Sequence, residues 1–351
     1  MKIVIYASFN QPYQDELYEL IASKHQLLVV FLSNQRDGNV ETHNYEKQFI
    51  STNNDYKFNG RTAPKANAFS AFKRSLHDVD LIIIHGWKGS YWLSLIFLHI
   101  LSGKRFWFFN DLSSPGKRSS NFRGVLNILK KHIIGRADGV IAASLEGLKY
   151  NRDIGAKKLI LCNWRYLHLR KYIDLTANKK SRLIHQEKLR YRFYGRFDIV
   201  KGLCRIKSLC KELDLTVNCH GMPGSYKTFD KRMLDCGPFE MRHVLSDVNI
   251  STVVFLPSLY EPLGLIALEL MLSNYTIVLS EEIIAIDQTL LDGVTVFRSD
   301  FTTEKIAALL VQIEARTPEE ITIALTNRKQ NIQKLVEKAE NEDLIEDMIN
   351  A

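Results

Sequence analysis

The run Phe255-Leu-Pro-Ser-Leu-Tyr-Glu261-Pro-Leu-Gly264-Leu-Ile-Ala-Leu-Glu269-Leu-Met-Leu272 decides how the rest of the chain is read. Residues 251–256 (STVVFL) are rich in β-branched and aromatic side chains, Pro257 ends that run, and Gly264 opens an apolar stretch too long for another strand. The order is therefore strand, loop, helix. In an open α/β sheet such a loop faces the carboxyl end of a buried strand, where ligands bind. The pattern predicts a helix over 264–272 with apolar residues on nearly every face, hence buried all round. Glu269 interrupts it, and a buried carboxylate needs a partner: a lysine or backbone amide of a satisfied core, or a ligand.

The loop favours the ligand. Glu261 precedes the turn, seven residues separate it from Glu269, and Gly264 leaves the backbone bare so that amides at the helix start can approach an anion. Two carboxylates for hydroxyls and a helix amino end for phosphate suit a nucleotide sugar. With Pro-Ser before it and Pro-x-Gly inside it, the motif resembles the donor signature of glycosyltransferase family 4 (glycosyl transferases group 1), retaining enzymes of the glycosyltransferase-B fold. The resemblance implies Glu269 on the ribose hydroxyls, Glu261 on the sugar ring, and the amides of Leu263, Gly264 and Leu265 on the diphosphate.

A length of 351 residues leads us to expect two domains. Five cysteines without a C-x-x-C pair suggest neither a disulfide framework nor a zinc site. The start, MKIVIYASF, reads as a strand rather than a signal peptide, and the most apolar later run, 92–101, is too short to span a bilayer. A cytoplasmic protein is expected, free or at the inner face of the membrane. The net charge of +8 is concentrated: residues 149–211 hold 18 Lys and Arg against 4 acids, whereas 337–351 hold six acids and one lysine. The middle of the chain faces anions. It carries no nucleic-acid-binding motif, so no nucleic-acid partner is expected.

Residues 2–7, 27–32, 79–84, 104–109, 138–143 and 158–162 read as short strands with helical or irregular stretches between, the alternation of a parallel sheet. Ser8-Phe-Asn-Gln-Pro12 lacks G-x-G-x-x-G and also departs from the paired glycines of the resembling family. His85-Gly-Trp87 ends the third run. In that family a histidine near this position faces the acceptor or the transferred sugar, which makes His85 the candidate of the first half, against the alternative of a turn histidine. Asp111, Ser113 and Ser114 are weaker candidates of the same kind. Between Pro115 and Arg136 six basic residues and no acid accompany helically spaced apolar residues. This is either a core helix with a solvated basic face or one resting on an anionic membrane.

In the second half, strand 190–194 feeds Gly195-Arg196-Phe-Asp-Ile-Val-Lys201-Gly202, two cations at a helix start and so a phosphate clamp. It matches the family's second donor motif, which implies Arg196 and Lys201 as diphosphate ligands. His220 ends strand 215–220, and Gly237-Pro-Phe resembles the turn before the helix that presents the base pocket. Residues 281–288 lack the glycine pair usual next. Helices are expected over 303–315 and 318–350.

The expected architecture is α/β, two Rossmann-like domains facing a cleft: an acceptor domain 1–168, a linker 169–188, a donor domain 189–330, and a terminal helix 331–351 packing back toward the first domain. The resemblance implies a retaining, metal-independent sugar transferase using a nucleotide-diphosphate sugar, UDP before GDP, and a glycan or lipid-linked acceptor of a bacterial surface polysaccharide, with no other cofactor. The alternative is an inactive nucleotide-sugar-binding partner of the same fold.

Overall fold

The computed structural model describes residues 1–7, 12–31, 46–49, 57–58, 61–62, 79–85, 103–110, 128, 131–177, 184–185, 188–261, 263–283, 286, 290–291 and 294–350. The chain forms two units: Met1–His168 together with Ala339–Ala351, and Leu169–Lys338.

In the first unit the apolar runs become β1 (Lys2–Ala7), β2 (Gln26–Phe31), β6 (Leu81–His85), β7 (Phe106–Asn110), β8 (Gly139–Ala142) and β9 (Leu159–Leu161). Between these lie α1 (Pro12–Lys24), β3 (Glu46–Phe49), a two-stranded ribbon of β4 (Lys57–Phe58) and β5 (Arg61–Thr62), and α2 (Leu145–Asp153); α3 (Trp164–Leu167) follows β9. The sheet order is β3-β2-β1-β6-β7-β8-β9, with every pairing parallel. β6, β7 and β8 are buried along their whole length, as expected of strands covered on both faces. Val4, Tyr6, Ile82, Ile84, Phe106, Phe108 and Val140 share one core with Ile133 and Ile134. The polar β3 was not expected from sequence; it adds to the edge at β2.

The second unit contains α4 (Arg170–Ala177), β10 (Arg190–Tyr194), α5 (Leu203–Glu212), β11 (Val217–His220), β12 (Met233–Asp235), α6 (Met241–Ser246), β13 (Thr252–Leu256), α7 (Leu265–Leu270), β14 (Thr276–Ser280), β15 (Val296–Ser299), α8 (Thr303–Glu314) and all but the last three residues of α9 (Pro318–Asn341). Its sheet is wholly parallel in the order β12-β11-β10-β13-β14-β15. Numbered within the unit this is 3-2-1-4-5-6, the doubly wound order whose direction of winding reverses between β10 and β13. One face is packed by Ile206 and Leu209 of α5 and Ile306 and Leu310 of α8 against Phe193, Val217, Phe255 and Val278.

Three expectations change. Residues 169–188, read as a linker, contain α4, which packs against α6. The terminal helix is interrupted: Asp343 Oδ1 accepts the Glu346 amide at 3.1 Å and starts α10 (Leu344–Asn350). That acceptor at a helix start satisfies an amide that would otherwise have no partner. The helix after Gly264 spans six residues rather than nine, and Leu265, Ile266 and Glu269 are half-buried, not enclosed. No described helix is long and apolar enough to cross a membrane.

Candidate functional site

The reversal of winding puts the carboxyl ends of β10 and β13 side by side, and their loops carry the residues singled out by sequence. After β10, Gly195 and Arg196 lead into a 3-10 turn, Ile199–Lys201, and then α5. After β13, Pro257 begins the loop to Glu261 and Gly264, where α7 starts. The two loops interlock backbone to backbone. The Leu259 amide donates to the Val200 carbonyl at 2.9 Å. Gly202, at φ +75°, lies so close to Pro257 that a Cβ there would stand 1.8 Å from its carbonyl oxygen. Only glycine fits both the left-handed backbone and the approach.

This interlock brings Lys201 and Glu261, sixty residues apart in sequence, into an ion pair through Nζ and Oε2. The lysine side chain is 22% exposed and the glutamate 12%. The other carboxylate oxygen of Glu261 accepts the Gly264 amide at 3.4 Å. Gly264, at φ +64°, packs under Ile283 and Ile286 of the loop after β14. Arg196 is more open, 55% exposed, and is paired with Asp198. The Ser225 amide, donating at 2.9 Å, with Arg196 beside it, holds the Asp198 carboxyl below its ordinary range.

Glu269 lies one turn into α7, half-buried. Glu269 is therefore not enclosed, contrary to the expectation of a helix buried all round. Its place on the helix that follows the Glu261 loop stands. Leu263 and Leu265 flank Gly264 at the turn into α7, both half-buried.

A cavity of about 490 Å³ opens beside the carboxyl ends of β10 and β11. Arg192, Tyr194, His220, Phe239, Glu240 and His243 are among the residues lining it. The Tyr194 and His220 rings stack at 4.9 Å, and Phe239 meets Tyr194 edge-on at 4.9 Å. Burial, and then Arg192 nearby, push the His220 imidazole below its usual pKa, so the ring is neutral at pH 7. Sequence reading named His220 and the Gly237-Pro-Phe turn but missed Arg192. The available signal was a charged side chain inside the run Arg190-Tyr-Arg-Phe-Tyr194, at the core of a strand.

A second set of residues outside the sequence motifs steadies the loops. Arg205 of α5 pairs with Glu282 at 2.8 Å and also donates to the Pro257 carbonyl at 3.3 Å and Ser280 Oγ at 3.1 Å. The hydrogen bond from Arg205 draws the Glu282 carboxyl down to about 2. From β15, Arg298 donates to the carbonyls of Ile283 and Ile286, each at 3.2 Å.

In the first unit, His85 pairs in register with Ala7 at the corresponding reversal of winding, between β1 and β6. The residue is 6% exposed; its ring lies tilted against that of Phe109, centroids 4.5 Å apart, and meets Gln14 Nε2 at 3.1 Å and the Tyr18 hydroxyl at 3.4 Å. It is an embedded histidine rather than one in a turn. Asp111, Ser113, Ser114, Ser8 and most of the basic segment 115–136 lie outside the described residues. A larger hollow, about 860 Å³, lies at the opposite end of this sheet near Lys2, Gln26, Asp80 and Lys104. It is wide and polar and sits at amino strand ends, so the smaller cavity of the second unit is the better ligand site.

No family model matches the sequence, and no curated protein matches it. Solved structures do. HepE of Anabaena, solved in complex with UDP, matches with a TM-score of 0.65 at 14% identity over 96% of this chain and 98% of its own. Sucrose-phosphate synthase of Thermosynechococcus elongatus matches with a TM-score of 0.61 at 15% identity over 97% and 96%. WaaG, a glycosyltransferase involved in lipopolysaccharide biosynthesis, matches with a TM-score of 0.52 at 11% identity over 99% and 98%. The chain thus has the α/β, two-domain Rossmann-like fold of these proteins.

Proposed function

We propose that the protein is a retaining glycosyltransferase of the family 4 type, moving a sugar from a nucleotide-diphosphate sugar to an acceptor hydroxyl. The observation that carries this reading is the Lys201–Glu261 pair at the reversal of winding of the second sheet, eight positions before Glu269. In these roles Arg196 and Lys201 neutralise the diphosphate, Glu261 accepts from a sugar hydroxyl, Glu269 from the ribose, and the amides of Leu263, Gly264 and Leu265 face the phosphates. The aromatic cavity beside Tyr194 and His220 takes the base. The two cations supply the charge stabilisation that a leaving diphosphate needs, so the reaction is assigned without a metal. Likeness to a UDP complex and to a lipopolysaccharide enzyme favours a UDP-sugar and a glycan or lipid-linked acceptor of surface polysaccharide.

The acceptor falls to the first unit, with His85 as its site residue. Gln14 and Tyr18 fix the ring, so His85 acts by presenting a set face to the acceptor. Thermal unfolding with UDP, GDP, ADP and their sugars, on the wild type and on Glu269→Ala, tests the donor assignment. One nucleotide should raise the wild-type midpoint and lose that effect in the variant. Midpoints unmoved by every nucleotide would end the assignment. Product analysis by NMR should then find the anomeric configuration of the donor retained.

The engaged ring of His85 and the absence of a glycine pair in 281–288 also favour a second reading, a nucleotide-sugar-binding partner without catalysis. Turnover of any nucleotide sugar, by transfer or hydrolysis, excludes it.

A further inference from the structure

The cavity beside Tyr194 is lined by aromatic rings, yet it also holds a fixed cation. Arg192 lines it from within β10, and the guanidinium is tied through a single nitrogen. Nη1 donates to the Tyr275 hydroxyl at 2.7 Å and the Tyr194 hydroxyl at 3.0 Å, and stands 3.0 Å from Asp247 Oδ2. The Tyr275 hydroxyl in turn donates to the same Asp247 oxygen at 2.9 Å, and the guanidinium carbon lies 5.3 Å from the centre of the Tyr275 ring. Three elements, β10, the turn after α6 and the start of β14, thus converge to hold one arginine in place. Its Nε is buried without an acceptor.

A guanidinium offers donors only. The matching occupant is flat enough to lie along the Tyr194–His220 stack and carries acceptor oxygens in its plane. Among nucleobases, guanine and uracil present ring carbonyls, to which the remaining nitrogen of the guanidinium can donate. Adenine instead presents an exocyclic amine beside N7, a pattern that suits glutamine.

We propose that Arg192 is the specificity-determining residue of the cavity, selecting a donor whose base carries a keto oxygen, uracil or guanine, over adenine. The inference rests on the nucleotide-sugar reading above. Titration calorimetry of the whole chain with UDP, GDP and ADP tests it. One keto nucleotide should bind the wild type roughly tenfold or more tighter than ADP. Arg192→Gln, whose amide both donates and accepts, should lose most of that ratio and gain affinity for ADP. Should that variant fail to fold, the wild type still decides: exchanging the keto oxygen for sulfur, in 4-thio-UDP or 6-thio-GDP, should weaken the preferred nucleotide severalfold. ADP binding as tightly as both keto nucleotides, an unchanged ratio in a folded Arg192→Gln, or indifference to the sulfur exchange overturns the role of Arg192 and leaves the transferase reading standing. Failure of all three nucleotides to bind overturns both.

Discussion

Lys201 and Glu261 neutralise each other in a partly buried setting, so removing one leaves the other's charge without a partner. Lys201→Met should weaken nucleotide binding about tenfold or more, because a charge-assisted phosphate contact is lost. Glu261→Gln should lower transfer with a smaller effect on nucleotide affinity. The double variant should lose less stability than the sum of the singles, since the two residues are coupled. Calorimetry and denaturant unfolding on the same samples separate these effects. Gly202 belongs to this scale too. Gly202→Ala should cost about 2–4 kcal/mol in urea unfolding, from the left-handed backbone and the collision with the Pro257 carbonyl. A loss below about 0.5 kcal/mol would mean that the two loops move apart easily.

Among elements, the loop after β14 is gripped from two sides, by Arg205 of α5 and Arg298 of β15, and presses Ile283 and Ile286 onto Gly264. The Arg205 side of the grip depends on ionised Glu282. With the folded carboxyl held near 2, below the ordinary carboxylate value of 4.5, its contribution is complete above about pH 4.5 and fades as pH falls toward 2. Wild-type unfolding free energy should therefore drop across that window more steeply than that of Glu282→Gln. Parallel slopes would show that the pair adds nothing. Neither arginine was legible in sequence, because each acts on loop groups at least twelve positions away. What was legible was whatever burial writes into composition: doubly covered strands such as β6 and β13 read as unbroken apolar runs, and the spacing from Glu261 to Glu269 survives in the turn and α7. The polar β3 carries no such signal. α4 escaped notice because its basic, weakly apolar sequence gains its place from contact with α6. Arg192 was missed because its meaning lies in Asp247 and Tyr275, far along the chain.

For the whole molecule, the chain crosses from one unit to the other at residues 168–169 and again at 338–339. The second unit is thus one uninterrupted stretch with its own parallel sheet and core, and residues 169–338 expressed alone should unfold cooperatively and retain whatever nucleotide binding the full chain has. Nucleotide binding by the whole chain but not by a folded 169–338 piece would place part of the donor site elsewhere. Residues 1–168 alone should be less stable than the complete unit, because they lack the partners of Asn163 and Lys24, namely Glu342 and Asp343. The same connectivity sets an order in time. On the ribosome domains form as they emerge, yet the first unit to appear must wait for 339–351, made after every residue of the second. The unit begun first is completed last, and a stop codon at 339 would weaken a unit whose sheet lies wholly within residues 2–161.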